Sequence, residues 1–319
     1  ISKEKVELLV SICKTDLTSD LVGEFPELQG IMGGYFSGHQ GFDKDIALAI
    51  TEQYLPIGLD SNVPKKPFSV ALSITDKIDT LVGFFGINQK PTSSKDPYAL
   101  RRMALGVIRI LIENNKDFKI KDLISYSSNL YRDQELKLSN ESLQKDLTNF
   151  LVDRLKFYMK EKNIRYDIIQ ASSNSNNIEN IVSIFKKAVS LNKVINNQIG
   201  HDIVSTYKRA SNILDSETKD KSFEIGNTTD PGIFKTEYEK NLFKNIKELR
   251  KYFKNISKDE KYEETLINLA ELKKVTFEFF DNVIVNDEDQ NIKKNRLELL
   301  QLLCKTFENY IKFSIIESN

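Results

Sequence analysis

Apolar residues recur every three or four positions along most of the chain, which is the spacing of one face of an α-helix. The longest such run follows Pro67 and predicts a buried helix from Phe68 to about Gly86. No sustained alternation of apolar and polar residues, bounded by turn residues, is present to indicate a strand. The predicted fold class is therefore all-α.

The first forty or so residues read as shorter helices separated by turns. A first helix is predicted to end near Gly23, before a turn-rich stretch at 24–30, and a second to run from Phe42 to Tyr54, where Pro56 stops it. The apolar stripe of the first helix is Val6, Leu9, Val10, Cys13 and Leu17.

A further helix start is predicted at Asp96-Pro97, because Asp96 can cap free N–H groups and Pro97 suits the first helical position. The helix is expected to run to about Ile112. Its buried stripe is Leu100, Ala104, Val107, Ile108 and Leu111. Arg102 and Arg109 fall on the opposite face, about 10 Å apart along the axis. That spacing fits two phosphates, and it equally fits a solvated helix face.

The best internal boundary is the run of Ala, Ser and Asn at 171–177, which has no periodicity and is dense in turn formers. We divide the chain there into domains at 1–172 and 173–319. Beyond the boundary, two apolar stripes at helical spacing predict core helices of a bundle. They are Ile203, Tyr207, Ala210 and Leu214, and then Leu297, Leu300, Cys304, Phe307 and Ile311.

Composition narrows the class of protein. No apolar run approaches the roughly 18 to 20 residues that span a bilayer, so no membrane partner is expected. The 46 basic and 46 acidic residues cancel, so any binding to nucleic acid must come from local patches. Cys13 and Cys304 form neither a disulfide framework nor a zinc ligand set, which favours a reducing compartment, the cytoplasm. The chain opens on Ile1 directly before a helical pattern, and we expect it to be part of a longer polypeptide.

Catalytic chemistry is poorly represented. His39 and His201 are the only imidazoles, and the sequence holds neither a phosphate-binding glycine loop nor a dinucleotide fingerprint. One constellation, Asp16, His39 and Asp76, lies on successive helical segments. It could hold a divalent cation, but a lone histidine among carboxylates is more often an ordinary hydrogen-bonded residue.

Several strings of residues are more specific than the periodicity. They resemble, in order along the chain, motifs of the β subunit of bacterial glycyl-tRNA synthetase, and they would make the chain roughly the C-terminal half of that subunit. The strings are residues 23–33 (GEFPELQGIMG), 76–83 (DKIDTLVG), 95–102 (KDPYALRR), 208–214 (KRASNIL), 279–285 (FFDNVIV) and 295–300 (NRLELL).

The resemblance implies an aminoacyl-tRNA synthetase of α2β2 composition that takes part in protein synthesis. The α subunit of that family carries the centre for ATP, Mg²⁺ and glycine, so this chain is expected to hold no cofactor and to be non-catalytic by itself. Its partners would be tRNA(Gly) and the α subunit.

The resemblance also implies that 1–172 is a helical HD-like domain, related to metal-dependent phosphohydrolases. Lys14-Thr15-Asp16 takes the place of the His-Asp pair of that superfamily, so Asp16 matches and the histidine does not, while Asp76 matches the later aspartate. Because imidazole ligands are missing, we expect a vestigial site at Asp16, His39 and Asp76 that serves as scaffold and binds no metal.

Residues 173–319 resemble the helical anticodon-binding domain of arginyl-tRNA synthetase. Anticodon bases are read by stacking and edge hydrogen bonds, with cations on the flanking phosphates. The candidate tRNA-binding residues are Arg101, Arg102, Arg109, Lys208, Arg209, Asn212, Asn295 and Arg296. Two alternatives stay open at this point, namely an active metal-dependent phosphohydrolase and a purely structural helical scaffold.

Overall fold

The computed structural model describes residues 2–131, 133–134, 136–137, 139–174, 180–218, 225–226, 228–256 and 261–317, with backbone alone at 254–256. The structure is 72% helical and has no strand among the described residues, which confirms the all-α prediction. Within the same residues, no helix is both long enough and apolar enough to cross a membrane.

The helices carry the labels α1 to α14 in chain order. They are α1 (Lys3–Ile12), α2 (Asp20–Glu24), α3 (Ile31–His39), α4 (Lys44–Glu52), α5 (Pro67–Gly86), α6 (Leu100–Glu113), α7 (Ile120–Leu130), α8 (Asn140–Glu161), α9 (Tyr166–Ser173), α10 (Ile181–Val194), α11 (Gln198–Thr218), α12 (Glu237–Ile256), α13 (Tyr262–Asn282) and α14 (Gln290–Glu308). Short 3₁₀ turns lie at Thr15–Thr18, Pro26–Leu28, Pro231–Ile233 and Phe313–Ile315.

The chain forms two compact units. The first contains Ile1–Tyr158 with Glu179–Val182, and the second contains Met159–Ile178 with Ser183–Asn319. These units do not follow a single cut in the sequence, whereas the predicted boundary between 172 and 173 is one cut, and that boundary stays a prediction. Residues 175–177 of the predicted boundary run lie outside the described residues.

The first unit is built around α5, which packs against α4, α6 and α7. Apolar side chains on several sides of α5 are buried, among them Ile78, Leu81, Val82 and Phe85. This agrees with the long helix predicted from Phe68 to about Gly86. The whole predicted stripe of α6 is buried as well.

Only two of the five residues in the predicted apolar stripe of the first helix are buried. Leu9 and Cys13 are buried in a small cluster with residues of α4 and α5, whereas Val6, Val10 and Leu17 are 40%, 61% and 46% exposed. Leu17 lies beyond α1, in the 3₁₀ turn Thr15–Thr18, because the helix predicted to end near Gly23 is interrupted after Ile12. Val6 and Val10 lie on α1 but outside the cluster with α4 and α5.

The start of α6 also differs from the prediction. Ala99 adopts a left-handed conformation (φ 53°), and the helix begins at Leu100, three residues beyond Pro97. Asp96 nevertheless caps it, because its two carboxylate oxygens accept the N–H groups of Leu100 (2.9 Å) and Arg101 (3.0 Å). The capping residue was predicted correctly and the first helical turn was not.

The second unit is a bundle in which α11 packs against α13 and α14, and α12 packs against the same two helices. The two predicted stripes supply much of its core. On α11, Ile203, Tyr207 and Ala210 are buried and Leu214 is half-buried. On α14, Leu297, Leu300, Cys304 and Phe307 are buried, and Ile311 is buried just beyond the end of the helix.

Candidate functional site

The three residues of the expected vestigial site, Asp16, His39 and Asp76, lie in different surroundings. Asp16 is buried in the turn after α1, and its Oδ2 accepts the N–H of Gly30 at 2.6 Å. His39 lies exposed at the end of α3, where its ring is parallel to that of Tyr35. Among the described residues no group of three or more His, Cys, Asp or Glu side chains is placed to hold a metal ion.

Asp76 has a cationic partner of its own. The Nζ of Lys14 lies 2.6 Å from its Oδ1, and the Asp76 side chain is 10% exposed. Burial alone would lower the pKa of Lys14, but the hydrogen bond and the charge of Asp76 outweigh burial and raise the pKa above 10.5. Lys14 is therefore an ammonium at neutral pH. The residues present do not fit the HD-type metal centre, because the Asp76 carboxylate that would have to bind the metal ion is paired with Lys14.

The α6 arginines fall into different environments. Arg102 is exposed and forms no ion pair or hydrogen bond in the part of the chain that the structure describes. Arg101 is partly buried, and its guanidinium donates to the carbonyl of Thr92 and lies 4.0 Å from Asp96. Both guanidinium groups therefore keep N–H donors that have no hydrogen-bond partner among the described residues.

Arg109 is a correction to the sequence analysis. It was placed on the exposed face of α6, but it is 6% exposed. Its Nε donates to Glu113 at 2.8 Å and its Nη1 to the carbonyl of Gly58 at 2.5 Å. The guanidinium of Arg109 donates a hydrogen bond to the backbone of the loop at Gly58. The prediction differs from the structure because the buried part of α6 is wider than its apolar stripe and includes Gly106, Arg109 and Ile110.

Two candidates on α14 are also buried, contrary to the exposed position expected for tRNA contacts. Asn295 is 3% exposed and exchanges two hydrogen bonds with the backbone of Asp230, at 2.8 and 2.9 Å. Arg296 is 5% exposed. Both side chains fasten loops to α14, and the polar face on which the sequence places them is covered by those loops.

Arg296 forms a charge cluster with the buried Glu239 and the partly exposed Asp287, which we call the Arg296 cluster. Its Nε lies 2.8 Å from Glu239 and its Nη1 2.7 Å from Asp287, and Nη1 also donates to the carbonyl of Ile284. Glu239 also accepts the N–H groups of Lys235 and Thr236 at the start of α12. Two carboxylates and one backbone carbonyl thus accept hydrogen bonds from the guanidinium of Arg296.

Burial alone would raise the pKa of Glu239, but hydrogen bonds from Arg296 and Thr236 outweigh burial and hold the pKa below its ordinary value of 4.5. Glu239 is therefore ionised at neutral pH, and the Arg296 cluster keeps its charges. Its chemistry is that of a structural tie between the start of α12 and the loop after α13.

The α11 candidates have a different setting. The Cζ of Arg209 lies 4.6 Å from the ring centroids of both Phe277 and Phe280 on α13. Its Nη2 is 3.5 Å from Asp281, and the Arg209 and Asp281 side chains are 37% and 66% exposed. These four residues are the Arg209 surface. The guanidinium lies against two aromatic rings, and its exposed carboxylate partner is one that a phosphate could replace.

The other two α11 candidates accompany this surface. Lys208 is half-buried beside Arg209, and Asn212 is exposed one helical turn further on. Within the described residues Asn212 makes no hydrogen bond through its side chain. The structure therefore brings Lys208, Arg209 and Asn212 together on one helix with a free amide and an exposed guanidinium edge, groups that suit a base edge and a phosphate.

Sequence analysis missed a row of cations on α12. Lys240, Lys244, Lys247 and Lys251 are all exposed and recur at intervals of four, three and four residues, so they share one helix face. We call them the α12 lysine stripe. The opposite face is buried through Leu242, Ile246 and Leu249. The signal is present in the sequence as lysines at intervals of four, three and four residues.

Comparison with known proteins adds independent findings. Residues 1–174 match the family model described as "Glycyl-tRNA synthetase beta subunit", and residues 203–316 match the one described as "DALR anticodon binding domain". The Arg209 surface and the α12 lysine stripe both lie within the second match.

Among curated relatives, the chain is 41% identical over 308 residues to "Glycine--tRNA ligase beta subunit" of Rickettsia canadensis (strain McKiel), covering 96% of this chain and 44% of that protein. It is 38% identical over 315 residues to the protein of the same description from Rickettsia prowazekii (strain Madrid E), covering 98% of this chain and 45% of that protein. The chain thus spans less than half the length of these relatives.

Proposed function

The chain belongs to the glycyl-tRNA synthetase β-subunit family, and from that premise we propose that it is a tRNA-binding part of glycine–tRNA ligase. In this proposal it takes part in the ATP-dependent attachment of glycine to tRNA(Gly) by holding the tRNA. Its second unit would carry the recognition of the anticodon.

The observation that carries the proposal is the Arg209 surface. The guanidinium of Arg209 lies within 4.6 Å of two phenyl ring centroids, and its partner Asp281, at 3.5 Å, is exposed. A planar cation of this kind suits stacking on a base or pairing with a phosphate. The surface lies in the segment that matches the anticodon-binding family model.

Not all of the sequence candidates enter the proposed contact surface. Lys208, Arg209 and Asn212 remain, and Arg101 and Arg102 remain as separate candidates in the first unit. Arg109, Asn295 and Arg296 have buried polar groups with intramolecular partners, so their roles as tRNA contacts would require loops to open.

In the same proposal the chain performs no chemistry itself. The α subunit would bind ATP and Mg²⁺ and activate glycine, within an α2β2 enzyme in the cytoplasm. The Lys14–Asp76 ion pair supports a non-catalytic first unit, since it gives that carboxylate an internal cation. The first unit would then act as scaffold.

The test is binding of the purified chain to glycine tRNA and to the same tRNA with an altered anticodon, across a salt series. We expect tighter binding to the native anticodon at every salt concentration. A tRNA specific for another amino acid, with a similar length, controls for general attraction to phosphates. Equal affinity for all three tRNAs would contradict anticodon recognition, and no measurable binding would contradict the tRNA-binding role of this chain.

A further inference from the structure

The α12 lysine stripe is a concentration of positive charge in a chain whose total charge is zero. Lys240 has an acidic partner, because its Nζ lies 2.8 Å from Glu237. Lys247 lies 5.1 Å from the ring of Phe243. Within the described residues, Lys244, Lys247 and Lys251 form no ion pair. Three neighbouring ammonium groups on one helix face are therefore without a salt bridge in that part of the chain.

Helix stability does not account for this arrangement. Like charges at spacings of three and four residues destabilise a helix by a few tenths of a kcal/mol per pair. Glu248 stands four residues after Lys244 and three before Lys251, yet it forms a salt bridge with neither among the described residues. Glu237 and Glu278 both share a groove with Lys240 and Lys244. Glu237 pairs with Lys240, whereas Glu278 forms no salt bridge with either lysine among the described residues.

The dimensions of the stripe point to a polyanion. From Lys240 to Lys251 the stripe is about 16 Å long, at 1.5 Å of helix per residue. In double-stranded DNA each strand carries a phosphate about every 3.4 Å of helix axis, so a stripe of this length is long enough to meet several phosphates of a nucleic-acid strand. A protein-docking surface instead needs an apolar centre and is depleted in lysine. Among the described side chains of α12, the face that carries the stripe has no exposed large apolar residue at its centre.

We propose that the α12 lysine stripe is a track for the sugar–phosphate backbone of the bound tRNA, which it holds without reading its sequence. This inference rests on the proposed function and adds a division of labour within the second unit. The Arg209 surface contributes to discrimination between anticodons, while the stripe contributes affinity for any tRNA. Phosphate contacts fix position and carry no sequence information directly.

The experiment uses the triple variant Lys244→Gln, Lys247→Gln and Lys251→Gln in the full 319-residue chain. Its matched control replaces Lys193, Lys305 and Lys312 with Gln. These lysines lie on α10, on α14 and beyond α14, so the control loses the same net charge and leaves the stripe unchanged. Dissociation constants are measured for glycine tRNA and for its altered-anticodon form across a potassium chloride series, and circular dichroism verifies folding.

For the stripe variant we expect the slope of log affinity against log salt to become shallower by about 2 to 3, at about 0.7 to 0.9 per lost phosphate contact. The ratio of the two dissociation constants should stay that of the native chain. The control variant should keep the native slope.

A stripe variant with the slope of the control would overturn the inference while leaving the proposed function intact, provided that the native chain still discriminates between the two tRNAs. A native chain that binds neither tRNA would overturn both. If the stripe variant binds tRNA normally and instead loses association with the α subunit, the stripe is a protein interface and the inference is wrong.

Discussion

Two arginines of the second unit show how surroundings decide what the same side chain does. In the Arg296 cluster the guanidinium is buried and meets Glu239 at 2.8 Å and Asp287 at 2.7 Å. In the Arg209 surface it lies over two phenyl rings, with one exposed carboxylate at 3.5 Å. The first arginine is committed to its own chain. The second keeps a free edge that an RNA could use.

The largest effect should come from breaking the Arg296 cluster. Arg296→Ala leaves Glu239 buried and without its cation, so we expect a loss of roughly 3 to 5 kcal/mol in the free energy of unfolding. Urea denaturation followed by circular dichroism measures it. Arg296→Lys, which keeps a positive charge, should lose less. If Arg296→Ala were as stable as the native chain, the cluster would not be a structural tie.

Acid should weaken the same cluster, and the sign follows from the lowered pKa of Glu239. A carboxyl whose pKa is lower in the folded state contributes stability that is fully present above its ordinary pKa of 4.5 and is lost as pH falls through the folded value. We therefore expect the stability difference between the native chain and Glu239→Gln to be constant near neutral pH and to shrink below about 4.5.

Urea denaturation at a series of pH values measures this difference. Glu237→Gln, two positions earlier on the exposed face of α12, is the matched control and should change stability little at any pH in the series. A difference for Glu239→Gln that grows as the solution is acidified would reverse the sign and contradict the role given to the buried carboxylate.

The same contrast explains which parts of the molecule the sequence could predict. Apolar periodicity identified α5, the stripe of α6 and the core faces of α11 and α14, because burial of apolar surface is a local property of helix faces. The capping role of Asp96 was predicted for the same reason, since a cap acts over a few residues. The left-handed Ala99 carries no such signal, and the helix start was misplaced.

Burial of charged residues was not predictable in this way. Arg109 and Arg296 occupy polar positions in the helical pattern, and their burial depends on Gly58 and Glu239, which are 51 and 57 residues away in sequence. Only the tertiary fold brings those acceptors to the guanidinium groups. The phenyl rings beneath Arg209 were likewise invisible, although α13 carries them at a spacing of three residues.

The smallest change in stability, and the sharpest test of the contrast, is expected from Arg209→Ala. Removing an exposed cation from two rings should cost less than about 1 kcal/mol, while tRNA binding should weaken and its log–log salt slope fall by about one if the guanidinium meets a phosphate. Arg209→Lys separates charge from shape, because lysine keeps the charge and loses the planar stack. It should restore the slope but not the full preference for the native anticodon. An Arg209→Ala chain with the native slope and preference would show that Arg209 contacts neither a base nor a phosphate of the tRNA, and the functional side of the contrast would be wrong.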